Sequence, residues 1–288
     1  MSMKFELTAL IMEAFRAMGH NIRWMSWNLF LGLVPLALSF LLFRKPRSRW
    51  LLWGTGFLLG ATFLPSIYLV LIHLKHIFQD LGKSYILGAI AITVALMALD
   101  IWVLRQRGVR SLRWWAGFLV FIAFLPNAPY VLTDIIHLIR QIQSGHSVWT
   151  VTLALIPQYL AFMLAGFGAY VLSVMNLGYY LKQQGWGKFI LPAEIIIHGL
   201  SAIGIYLGRF IRFNSWDIIT NPDALVNTVM NDLAGKRPVL VMAVTFAVIT
   251  CLYWAMKQVT LGLILRFYSS ESQSESIGEG EASSWPID

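Results

Sequence analysis

Charge is what this sequence has least of for its size. Only 12% of its 288 residues are Asp, Glu, Lys or Arg, against roughly a quarter in soluble domains. So few charges cannot clothe a water-facing surface. With 58% apolar residues and a mean hydropathy of +0.67, the chain reads as a polytopic membrane protein. Cysteine is nearly absent: Cys251 stands alone inside an apolar run, which excludes an internal disulfide and a thiolate metal cluster within one chain. There is no phosphate-binding P-loop, no dinucleotide fingerprint, no Cys/His zinc spacing and no HExxH, so no cofactor and no metal are expected. No nucleophile elbow occurs either. No cleavable signal is expected either, because Glu13 and Arg16 interrupt the first apolar stretch and no small-residue cleavage site follows.

Acids are scarce outside the tail. The last twenty residues hold five acids and no base, so the net charge of +8 becomes +13 for the remainder. Those bases lie in short clusters between apolar runs, the pattern of cytoplasmic loops facing anionic lipid rather than of a nucleic-acid surface. No nucleic-acid partner is expected; the lipid bilayer is.

Crossing the hydrocarbon core takes about 20 helical residues. Candidate spans are 24–43, 50–72, 85–104, 114–138, 150–181, 189–211 and 238–256. The expected fold is an all-α, polytopic integral membrane helix bundle of about seven transmembrane helices. The compact clusters "RKPRSR" at 44–49 and "RQRGVRSLR" at 105–113 fall on one side. They predict an N-terminus outside and a cytoplasmic C-terminus in a multi-pass protein of the cell membrane. Residues 1–23 read as an interfacial amphipathic helix, with Leu7, Leu10, Ile11, Ala14, Phe15 and Met18 on one face. Residues 24–268 form the transmembrane domain, and the Ser/Glu/Gly-rich 269–288 read as a disordered acidic tail.

A shift of 61 residues lays "RWLLWGTGFLLGATFLPS" over "RSLRWWAGFLVFIAFLPN" with nine identities in eighteen. Trp53, Gly56 and Pro65 keep register with Trp114, Gly117 and Pro126. The repeating unit is a tandem hairpin covering about 28–66 and 89–127, in parallel rather than inverted topology.

Polar residues interrupt this apolar background at a few places. In "FLPNAPYVLTDIIHL", 124–138, two prolines three apart predict local unwinding, with Asn127 satisfying freed backbone groups. The helix would resume at Thr133 and Asp134 as caps, with Asp134 and His137 sharing a face. "GRFIRFNSWD", 208–217, brings Arg209, Arg212, Asn214 and Asp217 to the same outer side, and His73 lies at that level in "LIHLKH". Guanidinium groups at a span exit suit an anionic headgroup or a phosphate; a plain kink with surface ion pairs is the bland alternative. Asn221, Pro222 and Gly235 delimit a helix laid over the outer face like a lid. Glu194 and His198, one turn apart inside span six, are intramembrane polar candidates; a protonated Glu bonded to its own helix is the alternative. Tryptophans at span ends, Trp24 and Trp114 among them, are placed in the interfacial belt.

These two stretches resemble the signatures of a family of bacterial multi-pass membrane proteins known as a domain of unknown function. One is a Leu-Pro-Asn-Ala-Pro-Tyr stretch with a following Asp and His, here Leu125 to Tyr130, Asp134 and His137. The other runs Gly208, Arg209, Arg212, Asn214, Ser215, Trp216, Asp217. The resemblance implies class and site and carries no activity. The expected function is binding or transport of a small molecule or lipid headgroup through a polar site opening to the extracytoplasmic side. The alternatives are a membrane-embedded enzyme acting on lipid or envelope substrates, with Asp134 or His137 as general base and Arg209 and Arg212 stabilising charge, and a structural or assembly factor.

Overall fold

A computed structural model describes residues 3–45, 48–67, 111–211 and 236–282. The described chain is all-helical, with no strand among those residues. Among the described residues, five helical stretches are long and apolar enough, by length and composition, to cross a membrane: Glu6–Phe43, Leu112–Gln143, Val148–Gln183, Gly187–Ile211 and Arg237–Arg266. The chain is thus a multi-pass membrane protein. Of the seven expected spans, the second is described only to residue 67 and the third, 85–104, lies outside the described residues.

Helix α1 spans Met3–Phe43 without a break, so the segment expected to lie separately in the interface is continuous with the first span. No residue between Gly19 and Pro35 interrupts helical hydrogen bonding, and elongating an existing helix avoids the cost of nucleating a new one. The stripe predicted from Leu7, Ile11 and Phe15 is exposed, as a lipid-facing surface requires. The other face of α1, from Ala17 and Met25 to Leu36 and Phe43, is buried.

That face packs on α6, Ile156–Gln183, the most enclosed helix of the bundle. Helix α2, Arg49–Phe63, lies outside it with Trp50, Trp53 and Phe57 exposed. Helix α3, Leu112–Phe124, inserts Phe121 and Leu125 between α1 and α6. Helices α2 and α3 end at Phe63 and Phe124, the same step of the 61-residue register, each followed by Leu-Pro.

One end of the bundle is sealed by aromatic rings. Phe43 meets Phe121 edge-on at 5.1 Å and Tyr180 at 5.5 Å, and the Trp114 indole N–H donates to Leu42 O at 3.3 Å. Trp114, expected in the interfacial belt, therefore has a protein partner. At this end Arg44 Nε donates to Asn176 Oδ1 (2.7 Å), and Asn176 Nδ2 donates to Ser39 Oγ (2.9 Å).

After α3 come a short α4, Asn127–Tyr130, and α5, Ile135–Gln143. Gly145, at φ 87°, supplies the left-handed turn into α6. Helix α7, Ile190–Tyr206, leads into a π-turn at Leu207–Ile211. Helix α8, Lys236–Ala282, packs chiefly on α7 through Ile249 and Tyr253. Helix α8 continues past residue 268 into the stretch whose composition leads one to expect coil. Glu, Gln and Ser there extend a helix already nucleated by the apolar span.

Candidate functional site

The proline segment keeps its helical backbone, against the expectation that it unwinds. Leu125, before Pro126, sits at φ −56° and ψ −38°, and Pro126 at φ −62° and ψ −21°. The segment accommodates its prolines by tightening: a turn at 125–126, one turn of α-helix, then a 3-10 turn over Val131–Asp134. Asn127 Nδ2 donates to Phe124 O (3.0 Å), so it supports the break as the sequence implied. Thr133 Oγ1 donates to Tyr130 O (2.7 Å), and Asp134 makes no side-chain cap of α5. The predicted caps turn elsewhere because no free helix start is created.

Close packing overrides the local bias of the prolines. A Cβ added to Gly204 of α7 would fall 2.7 Å from Pro126 Cβ; one on Gly166 of α6 would fall 2.7 Å from Val131 Cγ2. On α1, a Cβ at Gly32 would lie 3.2 Å from Ala128 Cα. Three helices thus press bare backbone against the segment from three sides, the contact that holds helices together in lipid.

This clamp presents Asp134 to the neighbouring helices. The carboxylate is 1% exposed, yet both oxygens are engaged. Asn28 Nδ2, from α1, donates to Oδ2 at 2.9 Å, and Arg209 Nη1 lies 3.3 Å from Oδ1. Arg209 reaches in from the π-turn, a geometry that often marks functional positions. Its Nη2 donates to Thr133 O (2.8 Å) and its Nη1 to the Tyr130 hydroxyl (3.4 Å). These bonds use three of the five guanidinium N–H donors, so two have no protein partner among the described residues.

His137 Nε2 stands 3.8 Å from Asp134 Oδ1, outside hydrogen-bond range, with its side chain 39% exposed. Its ring rests on Trp24 at 4.9 Å, and Trp24 packs on Tyr159 at 5.9 Å. Trp24, expected as a plain belt residue, is therefore part of the site wall. The Tyr159 hydroxyl is fully buried and has no hydrogen-bond partner among the described residues.

The structure thus joins Asp134, His137 and Arg209 across helices 75 residues apart in sequence, while Asn127 serves its own turn. His73, Arg212, Asn214, Asp217 and the lid helix lie outside the described residues. Among the described residues no three His, Cys, Asp or Glu side chains could hold a metal ion. Sequence reasoning missed Asn28 and Tyr159, and named Tyr130 only within the signature stretch. Asn28 carried a signal, since an amide within an apolar span needs a partner.

Glu194 and His198 belong to a separate cluster, roughly 22 Å away along α7 from Arg209 at 1.5 Å per residue. Glu194 Oε1 accepts from Lys257 Nζ (2.5 Å) and the Tyr253 hydroxyl (2.7 Å), both on α8. It is tied to a neighbouring helix, and the reading of a Glu bonded to its own helix is replaced. His198 Nδ1 lies 2.6 Å from the Tyr170 hydroxyl of α6. A third polar set runs up α1. Asn21 exchanges side-chain hydrogen bonds with Gln141 and donates to Gln158 at 3.0 Å, while Glu13 meets the turn at His146 and Ser147.

Residues 84–251, more than half the chain, match the family described as "Protein of unknown function (DUF1361)". No curated protein and no solved structure matches the chain. The chain belongs to that family.

Proposed function

We propose that this member of the family binds a small molecule or lipid headgroup carrying a phosphate or carboxylate, at a site opening to the extracytoplasmic side, and moves it through or along the membrane. The observation that carries the reading is the Arg209 guanidinium. It is anchored on buried Asp134 yet 19% exposed, and two of its donors have no partner among the described residues. Charge-assisted, paired N–H donors are the usual means of holding an oxyanion. The half-exposed His137 offers a further polar contact near Asp134, and Trp24 supplies an apolar wall. An outward opening is supported by the base clusters at 44–49 and 105–113, which favour a cytoplasmic location for the opposite end.

The enzyme reading has less support. At 3.8 Å the Asp134 carboxylate does not orient the His137 ring, and a general base needs that positioning. The test is thermal unfolding of the detergent-solubilised protein titrated with inorganic phosphate and with glycerol phosphate. An upward shift in the wild type, absent from Arg209→Gln and retained in Arg16→Gln, is expected. No shift with either probe, or an equal shift in Arg209→Gln, overturns the proposal.

A further inference from the structure

A cleft of about 520 Å³ opens between the amino-terminal part of α1 and the turn that follows α5. Glu13, Arg16 and His20 line it from α1, and Gln141 and His146 from the other side. Steps of three and four residues put the first three on one helical face. Glu13 is held in place: its Oε1 accepts the backbone N–H of Ser147 at 3.0 Å and lies 3.3 Å from His146 Nδ1. Arg16 and His20 make no hydrogen bond or ion pair among the described residues. The cleft therefore sets a fixed carboxylate beside two nitrogen groups with open donors.

Its depth suggests what fills it. The apolar run of α1, 24–43, is about as long as the hydrocarbon core is thick. His20 lies about 6 Å beyond that run and Arg16 about 12 Å, at 1.5 Å per residue; this is the headgroup layer. Leu7, Ile11 and Phe15 are exposed on the same stretch of α1, and Ile139 and Ile142 on α5. A ligand here meets charge in the cleft and apolar surface at its rim.

We infer that the cleft is a binding site for a zwitterionic phospholipid headgroup, distinct from the Asp134–Arg209 site. Arg16 and His20 take the phosphodiester, and Glu13 takes the ammonium. Anionic lipid satisfies only the first half of this set, so the cleft prefers an ammonium-bearing lipid. The inference does not rest on the function proposed above.

The experiment is thermal unfolding of the full chain in detergent, titrated with four probes: short-chain phosphatidylethanolamine, short-chain phosphatidylglycerol, glycerophosphoethanolamine and inorganic phosphate. Phosphatidylethanolamine is expected to stabilise the wild type and Arg209→Gln alike, and more than phosphatidylglycerol does. Arg16→Gln, at an exposed position where folding is not at stake, is expected to weaken its apparent affinity about tenfold, the effect of one charge-assisted hydrogen bond. Glu13→Gln is expected to abolish the preference between the two lipids. Equal stabilisation by all variants, or none in the wild type, overturns the site. If glycerophosphoethanolamine or inorganic phosphate stabilises Arg209→Gln, in which the other site is disabled, as strongly as the lipid does, the cleft recognises a soluble phosphate and the lipid assignment fails.

Discussion

Asp134 and Arg209 depend on one another more than on their own helices. The carboxylate sits at 1% exposure with the guanidinium 3.3 Å away, and removing one partner strands the other. Such a loss costs about 3–5 kcal/mol for a fully buried pair, and less here because Arg209 is partly exposed. Asp134→Leu and Arg209→Met are each expected to lower stability by about 2–3 kcal/mol, and the double variant to recover most of it, read as unfolding midpoints in detergent. Ligand response would not return with stability, which separates scaffold from site. Tyr159 behaves in the opposite sense. Its buried hydroxyl lacks a partner among the described residues, so Tyr159→Phe is expected to raise stability by about 1 kcal/mol. If Tyr159→Phe instead destabilises the protein, the hydroxyl has a partner. Asp134 and His137 were legible in the sequence as a pair three apart, and Arg209 as an ionisable group at a span end. Their meeting was not, because no local pattern relates residues 75 positions apart.

At the scale of one element, the proline segment shows why a local rule predicted the place of the break but not its form. Pro126 and Pro129 bias their neighbours away from helix, and that bias amounts to little beside packing from three helices. The decisive residues, Gly32, Gly166 and Gly204, lie far from the prolines in sequence and look like any membrane glycine. Two substitutions on α7 separate packing from propensity. Gly204→Ala places a Cβ 2.7 Å from Pro126 and is expected to cost about 1–3 kcal/mol by overpacking. Gly199→Ala, with nothing within 4 Å, is expected to be neutral or to stabilise by up to about 1 kcal/mol through helix propensity. Equal effects in unfolding experiments would show that the segment is not clamped. The helix ends at Phe63 and Phe124 were readable from the repeat, since Leu-Pro follows both. The continuity of α1 was not readable, because amphipathic and apolar stretches join without a breaker.

For the whole molecule, α1 and α6 form the spine and α8 a peripheral strut. Its Tyr253 and Lys257 meet Glu194, a polar attachment of α8 to α7. Glu194→Leu would leave the Lys257 ammonium facing an apolar seam. Faster hydrogen exchange is expected in α8 than in α6, with a loss of about 3 kcal/mol in global stability. If exchange in α8 is unchanged, apolar contacts through Ile249 and Tyr253 hold it alone. The bundle itself was legible from hydropathy, whereas the partners of Glu194 were not, because Lys257 lies just past the expected span 238–256 and 63 positions from Glu194.

The glycine-braced segment also governs how the bundle can move. A hinge needs slack, and here the backbones of three helices leave none at Pro126, Ala128 and Val131. Under the transport reading proposed above, opening at the Arg209 end is expected to be a rocking of intact helices about that point, so cross-links between the helix ends should block it while changes to the prolines should not.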